Sequence, residues 1–430
     1  MSVGMRPARN GEVRVPRGVF RRAGWGLLDQ VASSGTNFAV GVLVARTLSL
    51  EDFGAFGLAF LIYTFSMSVA RAFPMEPLLI RYSAVPVADW RRGAAAAVGT
   101  SAGMACAAAL ALIPIGIVLG GSVGAALLGL AVTFPGLLLQ DAWRLAFFAA
   151  GRGRDAFLND LVWAVFLVPA FALAGLAGTS LFAITLAWGL AASAAAVVGI
   201  AQARLLPRPD HAVLWWHEHR DLAARFLAEA GLRTGLSQLA LILIGAVAGL
   251  ETLGSIRAAQ LVMSPVQVLY LGASLAAVPE AVRALARSLG LLIRLAAAAS
   301  IGLAVAGLVW GSIALLVPDE LGRMFLGDSW EAAQTFLPAW IVTQVGIVLV
   351  IGPAMAIRAF ANARLSLGVT VVTAAIGLVV PVTAAFAGGL AAAWGLALAS
   401  VVGAVIWWLA LPAGIRAWRR AETTREGARI

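Results

Sequence analysis

The chain has 430 residues, 61% of them hydrophobic and only 12% charged, with a mean hydropathy of +0.92. That balance excludes an ordinary soluble globular protein, in which about a quarter of the residues are charged. The formal charge of +10 comes from arginine, since no lysine occurs, and Cys106 is the single cysteine. A Walker A lysine, a Schiff base, an internal disulfide and a thiolate metal cluster are all excluded, and the scattered arginines form no basic patch for nucleic acid.

A bilayer core of about 30 Å takes roughly 20 apolar residues to cross. Apolar runs broken by charge, proline and glycine predict spans at 24–45, 53–74, 93–119, 122–143, 157–178, 181–203, 226–249, 256–279, 290–317, 335–357, 365–387 and 390–411. The segment before the first span carries Arg6, Arg9, Arg14, Arg17, Arg21 and Arg22 and lacks a small-residue cleavage site, so the first span is read as an uncleaved helix. With a cytoplasmic N-terminus, 26 arginines fall in the tails and cytoplasmic connections, three (Arg46, Arg257, Arg323) on the far side and two (Arg71, Arg233) inside spans. The positive-inside bias sets both termini in the cytoplasm. The connection 318–334 is acidic, with Asp319, Glu320, Asp328 and Glu331, and no extracytoplasmic domain is expected.

The longest cytoplasmic connection, 204–225, contains two prolines and then Trp215, Trp216, His217 and His219, which suits a helix at headgroup level. The resulting organisation is a tail at 1–23, a first lobe at 24–203, an interfacial linker at 204–225, a second lobe at 226–411 and a tail at 412–430. A shift of 200 residues aligns Asp29 with Glu229, Gly35 with Gly235, Leu50 with Leu250, Glu51 with Glu251 and Gly54 with Gly254. Ala-Trp-Gly-Leu-Ala occurs at 187–191 and again at 393–397, and Phe148-Ala-Ala-Gly-Arg152 is similar to Phe360-Ala-Asn-Ala-Arg364. Alanine- and glycine-rich helices give single matches by chance. Three matches in order point to a duplication, and six spans per half make it a parallel repeat, as in carriers whose two bundles rock about a shared site.

The stretch Ala45-Arg-Thr-Leu-Ser-Leu-Glu-Asp-Phe-Gly54, followed by Pro77-Leu-Leu-Ile-Arg81, resembles the opening of polysaccharide-transporter or O-antigen flippase proteins of the multidrug/oligosaccharidyl-lipid/polysaccharide exporter superfamily. The resemblance implies an all-α polytopic membrane protein in which two six-helix lobes form a V. It also implies alternating access for an undecaprenyl-pyrophosphate-linked oligosaccharide of polysaccharide or lipopolysaccharide synthesis, moved from the cytoplasmic to the outer leaflet of a bacterial inner membrane. The expected partners are the lipid-linked substrate, membrane lipid and a glycan polymerase or ligase. No enzyme activity, cofactor or nucleic acid is expected, and the chain is expected to work as a monomer. Lipid II flippases of the superfamily carry two further C-terminal spans that this chain lacks, which disfavours a peptidoglycan precursor.

A charge inside a span costs about 2.5–3.5 kcal/mol on insertion scales and calls for a partner or a task. Arg71 and Arg233 share a depth about 25 Å from the far face, and guanidinium binds pyrophosphate bidentately. With Arg81 at the exit of the second span, they are the candidate headgroup ligands. The rival readings are an ion pair of Glu229 with Arg233 or Arg225 along one helix, and an Arg71 that snorkels to water near Glu76. Asp29 and Glu229, at matching repeat positions, are the candidates for ion coupling, because drug/cation antiporters of the superfamily carry carboxylates on spans 1 and 7. The plainer reading is two acids in the first turns of helices, where the dipole favours them. Asp141, Arg144, Arg152 and Asp155 are expected to pair at the cytoplasmic ends of spans 4 and 5. His211, His217 and His219 have no metal-site spacing. A multidrug or cation antiporter is the main alternative function. A glycosyltransferase or polymerase using Glu51, Asp52 or the acidic connection is less well supported, for want of an outer domain.

Overall fold

The computed structural model describes residues 17–427 and contains only helices and their connections among them. Helices follow from the composition, because a lipid-exposed backbone must satisfy its own hydrogen bonds. The first half comprises α1 (Arg17–Thr47), α2 (Leu50–Arg81), α3 (Val87–Leu119), α4 (Gly121–Ala149), α5 (Gly153–Leu176) and α6 (Leu181–Ala203). An amphipathic helix α7 (Ala212–Ala230) follows. The second half contains α8 (Leu236–Ala248), α9 (Leu250–Val262), α10 (Ser264–Arg287), α11 (Leu289–Leu315), the short α12 (Asp319–Leu326), α13 (Ser329–Ala359), α14 (Ala363–Ala385) and α15 (Gly389–Gly427). Helices occupy each of the twelve predicted spans, and among the described residues nine are long and apolar enough to cross a membrane.

Several boundaries differ from the sequence reading. The turn before α9 is tighter than predicted because Gly249, at φ +91°, reverses the chain in one residue, so α9 starts six residues before the predicted 256. Arg257, which the predicted span puts at its far-side edge, therefore lies deeper in the helix, about 10 Å along it from Leu250. Helix α4 runs on to Ala149, past Arg144, which had marked the end of span 4. The acidic connection is mostly helix, with Trp330 Nε1 donating to Asp319 Oδ1 at 3.1 Å.

Within each half, helices meet through small residues, which lets backbones approach where no hydrophobic effect drives association. In the first half Gly136 lies against Ser193, Gly189 against Thr133 and Gly199 against Trp143, so α4 and α6 are zipped along their length. In the second, Gly346 lies against Ser400 and Gly352 against the Ala296 carbonyl. The halves meet through α2 and α9. A Cβ on Gly54 would stand 1.9 Å from the Leu250 carbonyl oxygen, and one on Gly254 would stand 2.4 Å from that of Leu50. Positions related by the 200-residue repeat therefore face each other reciprocally, as in an isologous interface. The Ser329 hydroxyl donates to the Ala45 carbonyl at 3.0 Å and closes the same end. At the other, arginine-rich end the halves diverge around a cavity, with α7 packed against α2 and α3.

Candidate functional site

Two π-helical turns flank that cavity, Arg71–Met75 in α2 and Gly231–Gly235 between α7 and α8. Such turns insert one residue into the helical ladder and recur at functional sites. Arg71 opens the first and Arg233 lies within the second, so both arginines singled out in the sequence stand where a helix wall is locally irregular. The side chain of Arg233 lies outside the described residues. Between the turns a space of about 430 Å³ is lined by Thr64, Arg71, Glu76, Phe226, Glu229 and Thr234 among others.

Behind Arg71, five charged side chains from four helices meet inside the first lobe. Arg71 holds Asp141 of α4 bidentately, Nε to Oδ2 at 2.8 Å and Nη2 to Oδ1 at 2.6 Å. This fork geometry favours guanidinium over ammonium. Arg144, one turn further along α4, donates from Nε to Asp29 Oδ2 at 2.7 Å. It stands 3.5 Å from Asp160 Oδ2 of α5 and 3.8 Å from Asp141 Oδ1. Gln140 Nε2 donates to Asp160 Oδ1 at 2.7 Å, and Asn159 Nδ2 donates to the Ala195 carbonyl at 2.8 Å. Asp29 and Asp160 are buried, yet Asp29 Oδ1 and Asp160 Oδ2 accept no hydrogen bond. Three carboxylates thus face two guanidiniums. A cavity of about 180 Å³ opens onto the group, lined by Gln30, Asn37, Tyr63, Arg71, Asp141 and Arg144 among others. Arg71 lines both cavities and keeps 36% of its side chain exposed.

Asp141 and Arg144 do pair, at 3.8 Å, but not at the cytoplasmic ends of spans 4 and 5 as expected. Arg152 does pair with Asp155 at 2.6 Å, but Asp141 and Arg144 reach Arg71, Asp29 and Asp160 inside the lobe because α4 continues past them. Asp29 and Glu229 match in the repeat but not in surroundings: Asp29 is buried against Arg144, whereas Glu229 is an exposed wall residue of the cavity between the lobes.

Arg81 is placed away from both cavities' linings. Its guanidinium donates to the Glu218 carbonyl at 2.8 Å and to Asp221 Oδ2 at 2.6 Å, tying α7 to the end of α2. Beside it His219 is buried, stacks on Trp215 with centroids 3.9 Å apart, and has Nδ1 3.0 Å from the Trp215 carbonyl, which makes Nδ1 the protonated nitrogen. Burial lowers the pKa of this imidazole below its ordinary value, against the carbonyl's opposite pull.

Arg257 is the residue the sequence reading misplaced. It leaves α9 of the second lobe and lies with its guanidinium carbon 4.1 Å from the ring centroid of Phe60 on α2 of the first, a cation–π contact across the lobe boundary. Among the described residues it hydrogen-bonds Gln260 Oε1 at 3.1 Å. Among the described residues no carboxylate forms an ion pair with it.

No protein-family model matches the chain, and no curated protein matches it. Solved structures do. A lipid II flippase MurJ in an inward closed conformation superposes with a TM-score of 0.64 at 9% identity, covering 91% of this chain and 87% of that one. An inward-facing multidrug resistance MATE transporter of the MOP superfamily gives 0.62 at 13% identity, covering 91% and 96%. A MATE transporter in complex with MaD3S gives 0.58 at 15%, covering 94% and 96%. At these identities the likeness is one of fold. The chain is a multi-pass membrane protein with the two-lobed helical fold shared by lipid-flippase and multidrug transporters.

Proposed function

We propose that the chain is a flippase that carries an undecaprenyl-pyrophosphate-linked oligosaccharide, a polysaccharide or O-antigen repeat unit, from the cytoplasmic to the outer leaflet of a bacterial inner membrane. The arginine-rich face is then cytoplasmic, with both termini on it, and the cavity between the lobes is the inward-facing substrate cleft. The observation that carries the reading is Arg257, a guanidinium held between the lobes without an acidic partner among the described residues. A half-buried cation with no acidic partner among the described residues is costly and is relieved by an anion, whereas a cationic drug is repelled by it. Arg71 and Arg233 are the proposed pyrophosphate ligands at the cleft wall, with Arg81 holding the interfacial helix to the end of α2. Asp29, inside the charge network, is the proposed coupling group, with Glu229 as a cleft carboxylate.

Glu76 and Glu229 in the same wall favour a second reading, a cation antiporter. Proteoliposomes decide between the two. Flipping of a fluorescent undecaprenyl-pyrophosphate oligosaccharide, lost in Arg257→Ala, supports the flippase. Gradient-driven uptake of a cationic dye with no flipping would replace that reading with the antiporter.

A further inference from the structure

Arg71 occupies a position that no single-site reading explains. One side of its guanidinium grips Asp141 by both oxygens, while its exposed portion lines the cleft between the lobes. It is the partition between the substrate cleft and the polar cavity inside the first lobe. We propose that Arg71 is an exchangeable gate: the anionic headgroup takes the guanidinium from Asp141, and the carboxylate cluster behind it takes up one proton in exchange. The inference rests on the flippase reading, since it needs a phosphate-bearing ligand in the cleft.

The groups facing Asp141 are Asp29 from α1, Tyr63 and Arg71 from α2, Arg144 from α4 itself and Asp160 from α5. With Arg71 in place, three carboxylates meet two guanidiniums and the deficit is a single charge. With Arg71 turned toward a phosphate, the same three meet Arg144 alone, which stands 3.8 Å from Asp141 and is already committed to Asp29. Two uncompensated buried charges are far more costly than one, and a buried carboxylate in that position neutralises itself by protonation. Asp29 Oδ1 is a buried oxygen with no hydrogen-bond donor among the described residues, so a proton placed on it displaces no hydrogen bond, and Asp160 Oδ2 has only the 3.5 Å approach of Arg144 Nε to give up. The 180 Å³ cavity beside them has polar walls and room for water to deliver it. Nothing is oxidised or reduced: one ion pair breaks, one forms, and one proton passes from water to a carboxylate. The loaded carrier then moves through the low-dielectric membrane with one negative charge fewer.

Linkage makes the exchange measurable from either side. If the headgroup brings in a proton, lower pH must strengthen headgroup binding by the same coupling. Titration calorimetry of the detergent-solubilised protein with a short-chain isoprenyl pyrophosphate, in two buffers of different ionisation enthalpy, counts the protons. We expect wild-type protein to take up close to one proton, and its affinity to rise by up to tenfold for each pH unit lowered across the window where the cluster titrates. Asp141→Asn removes the displaced charge and is expected to bind the probe with no uptake. Any proton that the pyrophosphate itself releases carries the opposite sign and is common to both proteins. Binding by the wild type without proton uptake overturns the gate and leaves the flippase reading standing. Absence of binding at any pH overturns the flippase reading itself. Should Asp141→Asn fail to fold, the wild-type count is repeated above the pH at which the pyrophosphate is fully ionised, where it has no proton to release and the count is decisive by itself.

Discussion

Gly54 of α2 and Gly254 of α9 stand opposite one another across the lobe boundary, each with its Cβ position inside van der Waals reach of the other helix's backbone. The oxygen that a Cβ on Gly54 would meet at 1.9 Å belongs to the Leu250 main chain, so no side-chain rotation makes room and the helices must part. Gly54→Ala is therefore expected to disfavour closure at the end away from the arginine-rich face. A cysteine placed at buried Ser255, in a Cys106→Ala background, reports the change through labelling by a membrane-impermeant maleimide. Labelling should rise several-fold in Gly54→Ala; equal labelling in both backgrounds would mean that this contact is not part of the closure.

Arg71 has a structural and a functional role that substitution can separate. Arg71→Ala strands Asp141 in the lobe, and breaking a buried ion pair from one side costs about 3 kcal/mol. The single variant should unfold at lower temperature by fluorescence-monitored melting and should not flip substrate. Adding Asp141→Asn removes the stranded charge, so the double variant should regain much of the lost melting temperature while flipping stays absent. Recovery of both would assign Arg71 to folding alone.

How much of this was legible in the sequence depends on the range of the interaction involved. Helix positions came from apolar runs, and the Gly54 and Gly254 contact was foreshadowed by the 200-residue repeat, because duplication keeps interface residues in register. The charge network was not legible. A hydropathy reading treats a charged residue as the end of a span, so Arg144 was put outside the membrane. Its neutralising partner, Asp29, lies in another helix, 115 residues away, and local hydropathy carries no trace of that pairing. Arg257 was misplaced for a smaller reason, since the single-residue turn at Gly249 moves the helix start upstream. The paired signal that could have found it is its position three residues after Gly254, the residue that the repeat marks as an interface.

Arg257 carries a half-buried charge whose partners among the described residues are Gln260 and the Phe60 ring. Replacement by methionine keeps much of the stem's packing and removes both the charge and the cost of taking it out of water. Arg257→Met is thus expected to melt at the same temperature as the parent or higher and to lose most flipping in proteoliposomes. A destabilised variant with normal flipping would reverse this assignment and make Arg257 a structural tie between the lobes.

His219 gives the interfacial helix a pH dependence whose sign is fixed by its burial. Its ordinary pKa of 6.5 is lowered in the folded protein, so between 6.5 and that lower value the unfolded chain holds a proton that the folded chain does not. Stability rises with pH wherever the unfolded state binds more protons. The contribution of His219 is therefore intact above pH 6.5 and is lost as pH falls through that window, where protonation would force a charge against Trp215 and near the Arg81 guanidinium. Melting temperatures measured from pH 8 down to about pH 5 should decline in the wild type. His219→Phe keeps a ring to stack on Trp215 but cannot titrate, so its decline over the same interval should be shallower. Parallel curves would show that the acid sensitivity arises elsewhere in the chain.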